Sequence, residues 1–182
     1  MKTLRGLDLR GQNFRNSDLS GLDLSGADLT GALLSSANFS GSNLSGAKLF
    51  KAELAWVNMS GANLSQVDLS GRNLRRVDLS GSDLSGSDLS GALLVKGKLS
   101  GAKLLMAKLN EAEMTEVDLT FADLSGADLT GANLSGANLR GSNMAKANLS
   151  NAMYNQYTVF PDQFNPAEHG MIDTANLRMT KA

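Results

Sequence analysis

The 182-residue chain contains no cysteine, which excludes disulfides and thiolate metal sites and leaves the redox compartment open. Histidine occurs once, as His169 near the C-terminus. A histidine–nucleophile pair is therefore available only there, and no carboxylate–serine spacing supports one. Aromatic residues make up 5% of the chain, too few and too dispersed for stacking a single nucleic-acid strand. Apolar runs extend only a few residues, so no segment reads as a membrane span. Met1–Arg10 (MKTLRGLDLR) has no apolar stretch of the secretory kind, and a cytoplasmic location is the expectation. The net charge of −1 is too balanced for a nucleic-acid binder or a strong polyanion mimic.

What is present is a period. Every fifth residue from Leu4 to Leu149 is large and apolar, thirty in succession; twenty-five are Leu, and the others are Phe14, Phe39, Met59, Met114 and Met144. Neither a helix (period 3.6) nor a plain strand (period 2) keeps period 5 on one side. Two places before each large residue stands a small one, as at Ala27, Ala32 and Ala37, with Asp, Asn, Lys or Glu between them. Small-in, polar-out, large-in is a three-residue strand with one buried face. Ser or Thr follows, and then very often Gly, which is turn chemistry. Seventeen of the nineteen glycines take that last place.

Sorting the turn position modulo 20 isolates one column: Asn16, Ser36, Trp56, Arg76, Lys96, Glu116 and Gly136, with a single Gly in seven. The neighbouring column from Gly21 to Gly141 has six in seven, broken only by Phe121. One corner is expected to have a backbone need unlike the others, returning every 20 residues. Four units per coil and a square cross-section follow. Thirty units then make about 7.5 coils, a rod roughly 36 Å long at ~4.8 Å per strand spacing. Residues 20–79 and 80–139 also align without gaps, sharing SGxDLSGxDLxGALL from Ser20 and Ser80, as a three-coil duplication would leave.

Units such as Ala27-Asp28-Leu29-Thr30-Gly31 and Ala132-Asn133-Leu134-Ser135-Gly136 resemble the pentapeptide repeat, A(D/N)LxX. The resemblance implies an all-β solenoid, the right-handed quadrilateral β-helix, with handedness taken from the family. The run from Tyr154 through Pro161 to Pro166 is similar to the tail of many cyanobacterial members, where it packs on the open end of the last coil.

A stacked core needs closed ends. At the N-terminus the small inward position holds Lys2, Leu7, Gln12 and Ser17, which suit a layer with nothing beneath it. Residues 2–150 are read as the β-helix and residues 151–182 as a C-terminal cap. Its short helix begins at Asn165 (N-cap) and Pro166 and stops at Gly170. His169 is an ordinary cap residue on this reading, and Ala175-Asn176-Leu177 is one further unit out of phase.

Within the rod, Arg72 takes an inward small position between Ala52 and Ala92. An unpaired buried charge is very costly, so its guanidinium is expected to escape through a local distortion. The column Asp8, Asp28, Lys48, Asp68, Asp88, Lys108, Asp128, Asn148 reads as folding chemistry, with lysine breaking the like-charge repulsion every third coil. Outward apolar and basic groups gather near one face: Leu33, Phe50, Trp56, Arg75, Arg76, Leu93, Val95 and Lys96. That composition suits an interface, with Trp56 stacking on Arg76.

No catalytic, cofactor-binding or metal constellation is legible, and no cofactor is expected. The reading is a non-enzymatic rigid scaffold that binds an unidentified protein partner. A homodimer could form through an end of the rod or the apolar strip; membrane is not a partner and the composition disfavours nucleic acid. The alternative is a DNA-mimicking inhibitor or protector of DNA gyrase, as the quinolone-resistance members of the family are. The near-zero charge and the interrupted acidic columns oppose it.

Overall fold

The computed structural model describes residues 3–175; Lys2 and the Asn176-Leu177 part of the out-of-phase unit lie outside the described residues. Each five-residue unit contributes one bridging residue, its outward polar one, followed by a two-residue turn. The bridges are parallel and join residues 20 apart, as in Asp8↔Asp28, Asn38↔Asn58 and Asp83↔Lys103. One circuit therefore takes twenty residues and has four faces. The first face carries the bridging residues from Thr3 to Asn143 and the second those from Asp8 to Asn148. The third runs from Asn13 to Met153 and the fourth from Asp18 to Asn138.

The turn explains the consensus. The amide of each inward small residue donates back to the preceding large one, Ala27 to the Leu24 carbonyl at 3.0 Å, and the corner residue between them has positive φ (Gly26, +65°). This is a type II arrangement. The amide just after the large residue points outward and has no rung to pair with. Asp or Asn supplies its acceptor: the Ser25 amide donates to Asp23 Oδ1 at 3.0 Å and the Ser40 amide to Asn38 Oδ1 at 3.1 Å.

The expected special corner is not special in backbone. Asn16, Ser36, Trp56, Arg76, Lys96 and Glu116 have φ between +55° and +63°, as do non-glycine residues at the other corners, such as Lys51 (+57°) and Phe121 (+57°). All four corners are left-handed. The inference of a twenty-residue circuit was right while its stated cause was not: this column keeps side chains where glycine would fit more easily.

The interior is a continuous column of large residues from Leu19 to Leu139, nearly all fully buried, beside a second column of Ala, Val and Ser. The inward serines Ser42, Ser82 and Ser87 each donate to a carbonyl three residues back at 2.7 Å, which satisfies the hydroxyl within its own turn. The first coil is less covered: Leu4, Leu9 and Phe14 are half-buried and Leu7 is exposed.

Past Leu149 the chain continues to wind. Asn133 bridges Met153, and Asn138 bridges Val159 with one extra residue in the circuit. Strand β1 (Met153–Tyr154) pairs in parallel with β2 (Ile172–Asp173). Between them a four-residue 3-10 helix, Pro166–His169, starts after Asn165, whose side chain accepts from the Ala167 amide, and ends at the left-handed Gly170. Tyr154, Phe160, Phe164 and His169 form an aromatic run, with the Phe164 and His169 rings stacked at 4.6 Å.

Candidate functional site

The corner between the third and fourth faces holds a column of exposed side chains with specific contacts. The Trp56 indole, 57% exposed, lies under the Arg76 guanidinium at 4.7 Å from the ring centroid. One coil further, Lys96 Nζ meets Glu116 at 3.3 Å. The left-handed corner turns its side chain toward the corner one circuit ahead, so residues of a column lie over one another. Elsewhere the covered residue is glycine: Met106 lies over Gly126 and Phe121 over Gly141. From Trp56 to Glu116 the covered residue is another long side chain, and the column carries one cation–aromatic pair and one ion pair.

The remaining predicted residues distribute unevenly around it. Arg75 is exposed beside Trp56 and Arg76 and reaches back to Asn73. Leu93 and Val95 are half-buried one rung on. Leu33 is half-buried in the same face as Leu93 but three circuits away, under an Arg15–Glu53 ion pair that spans its rung. Phe50 is not part of this group. It sits at the corner between the second and third faces, 59% exposed, with Lys51 Nζ 5.3 Å and the Arg72 guanidinium 5.5 Å from its ring centroid. Leu105, Met106 and Phe121 form further exposed apolar surface that the sequence reading passed over. The signal was available: Met106 and Phe121 interrupt glycine-rich corner columns.

Arg72 has a larger effect than a local kink. Its side chain turns outward between coils, Nε donating to the Ser70 carbonyl at 3.1 Å, the acceptor that the Lys51 amide would take in a regular rung. The bridges Lys48↔Asp68 and Glu53↔Asn73 are absent from an otherwise regular ladder. The amides of Gly46, Leu49, Lys51, Leu54, Asp68 and Asn73 have no acceptor. Ala47 and Ala52 are 5% and 7% exposed, against 0–1% for most inward alanines. Two clefts of about 390 and 360 Å³ open on the second and third faces, both lined by Arg72.

The carboxylates on the faces are held by the turns. Hydrogen bonds from Ser20, Ser25, Thr30 and Ser85 keep Asp18, Asp23, Asp28 and Asp83 below the ordinary carboxylate range. Hydrogen bonding to Arg10 lowers Asp8 to about 2. The lysines in the acidic columns reach aspartates one circuit back, Lys108 to Asp88 at 3.4 Å and Lys98 to Asp78 at 3.7 Å. Among the described residues no cluster of three or more His, Asp or Glu could hold a metal ion. No helix there is long and apolar enough to cross a membrane.

The family model for pentapeptide repeats matches the chain in eight copies, over residues 3–31, 27–66, 62–101, 98–131 and 132–153. HetL, a pentapeptide repeat protein involved in heterocyst differentiation regulation from the cyanobacterium Nostoc sp. strain PCC 7120, is 33% identical. The match covers 89% of this chain and 78% of HetL, with a TM-score of 0.35. Another pentapeptide repeat protein, alr5209 from Nostoc PCC 7120, is 39% identical over 62% of this chain and 84% of its own, with a TM-score of 0.32. A trypsin-treated form of QnrB1, a plasmid-mediated fluoroquinolone resistance protein, is 21% identical over 99% of this chain and 92% of its own, with a TM-score of 0.51. No curated protein matches the chain. The last likeness concerns the fold alone: the right-handed quadrilateral β-helix, to which the four-sided circuit of twenty residues corresponds. Repeats matched from residue 3 to residue 153 lead to one conclusion, that this chain belongs to the pentapeptide repeat family.

Proposed function

We propose that this protein is a rigid, non-enzymatic scaffold that holds a protein partner along the corner between its third and fourth faces. Trp56, Arg75, Arg76 and Lys96 form the centre of the contact and Leu93 and Val95 its apolar margin. Phe50 and Leu33 stand apart from it. One observation carries the reading: six successive corners of this column keep a side chain in the left-handed region, where each costs about 1–2 kcal/mol that glycine would not. Strained side chains occur singly at the other corners but at six successive positions here, and that run, with a stacked Trp–Arg pair at its centre, supports side chains kept for contact. Residues 151–175, the described part of the expected 151–182 segment, act as the cap of a rod of about 7.5 coils, a reading supported by the aromatic run from Tyr154 to His169.

The test is capture from a lysate of the source organism by the immobilised protein, followed by mass spectrometry. The double variant Trp56→Ala, Arg76→Ala is expected to keep the wild-type circular dichroism and melting temperature while losing the captured partner. Unchanged capture counts against this edge, and a concentration-dependent dimer lost in the same variant would make the partner a second copy. The DNA-mimic reading has less support, since lysines neutralise the acidic columns by pairing with Asp28, Asp78 and Asp88. A gyrase supercoiling assay at micromolar protein addresses it, and no effect is expected.

A further inference from the structure

The seam at Arg72 plays no part in that contact. We propose that it is a docking site for an extended acidic peptide, whose backbone pairs with the unpaired rungs and whose carboxylate meets the Arg72 guanidinium. The unpaired groups are a strand edge in kind: on one lip the Leu49, Lys51 and Leu54 amides with the Ala47 and Ala52 carbonyls, on the other the Asp68 and Asn73 amides and carbonyls. Each lip offers donors and acceptors in alternation, a pattern matched by another extended chain and by no small anion.

Charge selects the peptide. Arg72 and Lys51 have no ion-pair partner among the described residues, and both lie against the exposed Phe50 ring. Of the acids nearby, Asp28 faces Lys48 at 3.9 Å and Glu53 pairs with Arg15; Asp68, whose Oδ1 accepts from the Ser70 amide at 2.9 Å, keeps one charge at the rim against the two cations. A carboxylate arriving on a peptide therefore finds a bidentate partner in Arg72 and an apolar surface in Phe50. The first and fourth faces remain paired across the same coils, as in Asn43↔Asn63 and Asn58↔Asp78, so the seam opens toward one side like a hinge. Each face offers one rung, so about three extended residues, at ~3.3 Å each, engage one of the two clefts.

The test is fluorescence anisotropy with a labelled peptide of three Val-Glu repeats, against three controls. These are three Val-Lys repeats, the acidic peptide with alternate amides N-methylated, and free glutarate as competitor. The acidic peptide is expected to bind at least tenfold more tightly than either control peptide, and at least tenfold more weakly to Arg72→Met. Hydrogen exchange should show new protection at Leu49 and Lys51, or at Leu54. The Trp56→Ala, Arg76→Ala variant should bind the peptide as wild type does, which separates this site from the corner contact. The proposal fails if the acidic peptide does not bind at millimolar concentration, if N-methylation or Arg72→Met changes nothing, or if protection appears elsewhere. Glutarate binding as tightly as the peptide would reduce the seam to a carboxylate site and also overturn it. Arg72→Ala, which places the consensus side chain in the rung, is the second variant and is expected to lose binding with its fold intact.

Discussion

Arginine in a position built for alanine changes the rod more than any other single residue. The guanidinium cannot remain beside Leu69 and Leu74 unpaired, and moving it outward opens the rungs on two faces between neighbouring coils and leaves six amides without acceptors. Arg72→Ala should let the rungs close. The six recovered bonds, less the one that Arg72 makes to the Ser70 carbonyl, at about 0.5–1.5 kcal/mol net each, should make the variant more stable by about 2.5–7.5 kcal/mol in denaturant unfolding. A less stable variant would mean that Arg72 supports the rod. A smaller effect of the same kind is expected at Ser36, whose φ of +60° is strained and whose side chain makes no hydrogen bond. Relief of about 1–2 kcal/mol of left-handed strain, less glycine's extra chain entropy of about 0.5–1 kcal/mol, makes Ser36→Gly modestly stabilising. An unchanged or lower melting temperature would contradict the strain argument on which the corner contact rests.

At the scale of the five-residue element, the consensus is an inventory of what one turn requires: a carbonyl to close it, a left-handed corner, and an acceptor for the amide left outside. Asp and Asn meet the last need equally, which is why both occur at the bridging position. They differ in acid. The lowered aspartates are fully ionised above the unfolded value near 4, and their contribution is present there. It fades as pH falls from about 4 toward the folded values, with Asp8 the last to protonate, near 2. Chemical denaturation between pH 5 and pH 2 should therefore show falling stability, and Asp18→Asn with Asp23→Asn should flatten the fall; an equally steep limb would refute the hydrogen-bond account. This element was legible in the sequence because five-residue spacing and the order small–polar–large fix both strand and turn. The corner geometry was not, because abundance of Gly reports how cheaply a left-handed φ is adopted, whereas Trp56, Arg76 and Phe121 adopt the same φ at a cost. Phe50 and Trp56 do gather near one face, the third, but the sequence did not show how far apart on it they stand. Residues six apart in sequence stand on opposite edges of one face, a separation visible only once the corners are assigned.

Across the whole molecule, coils bind only their neighbours, so stability is set by a series of interfaces and the weakest divides the rod. Replacing a central leucine such as Leu84 by Ala should cost about 2–5 kcal/mol wherever coils are fully stacked. The interface between residues 46–54 and 65–73 lacks its rungs on two of four faces, and the first coil beyond it is partly uncovered at Leu4, Leu9 and Phe14. Native-state hydrogen exchange should accordingly resolve two units. Amides on the N-terminal side of the seam should open at lower denaturant than those from Leu74 to Leu139. In Arg72→Ala the two sets should merge into one, because the restored rungs couple the coils. A wild-type rod whose amides all exchange through a single opening would show that the hydrocarbon column alone carries cooperativity past the gap. The seam would then be a surface feature rather than a division of the solenoid.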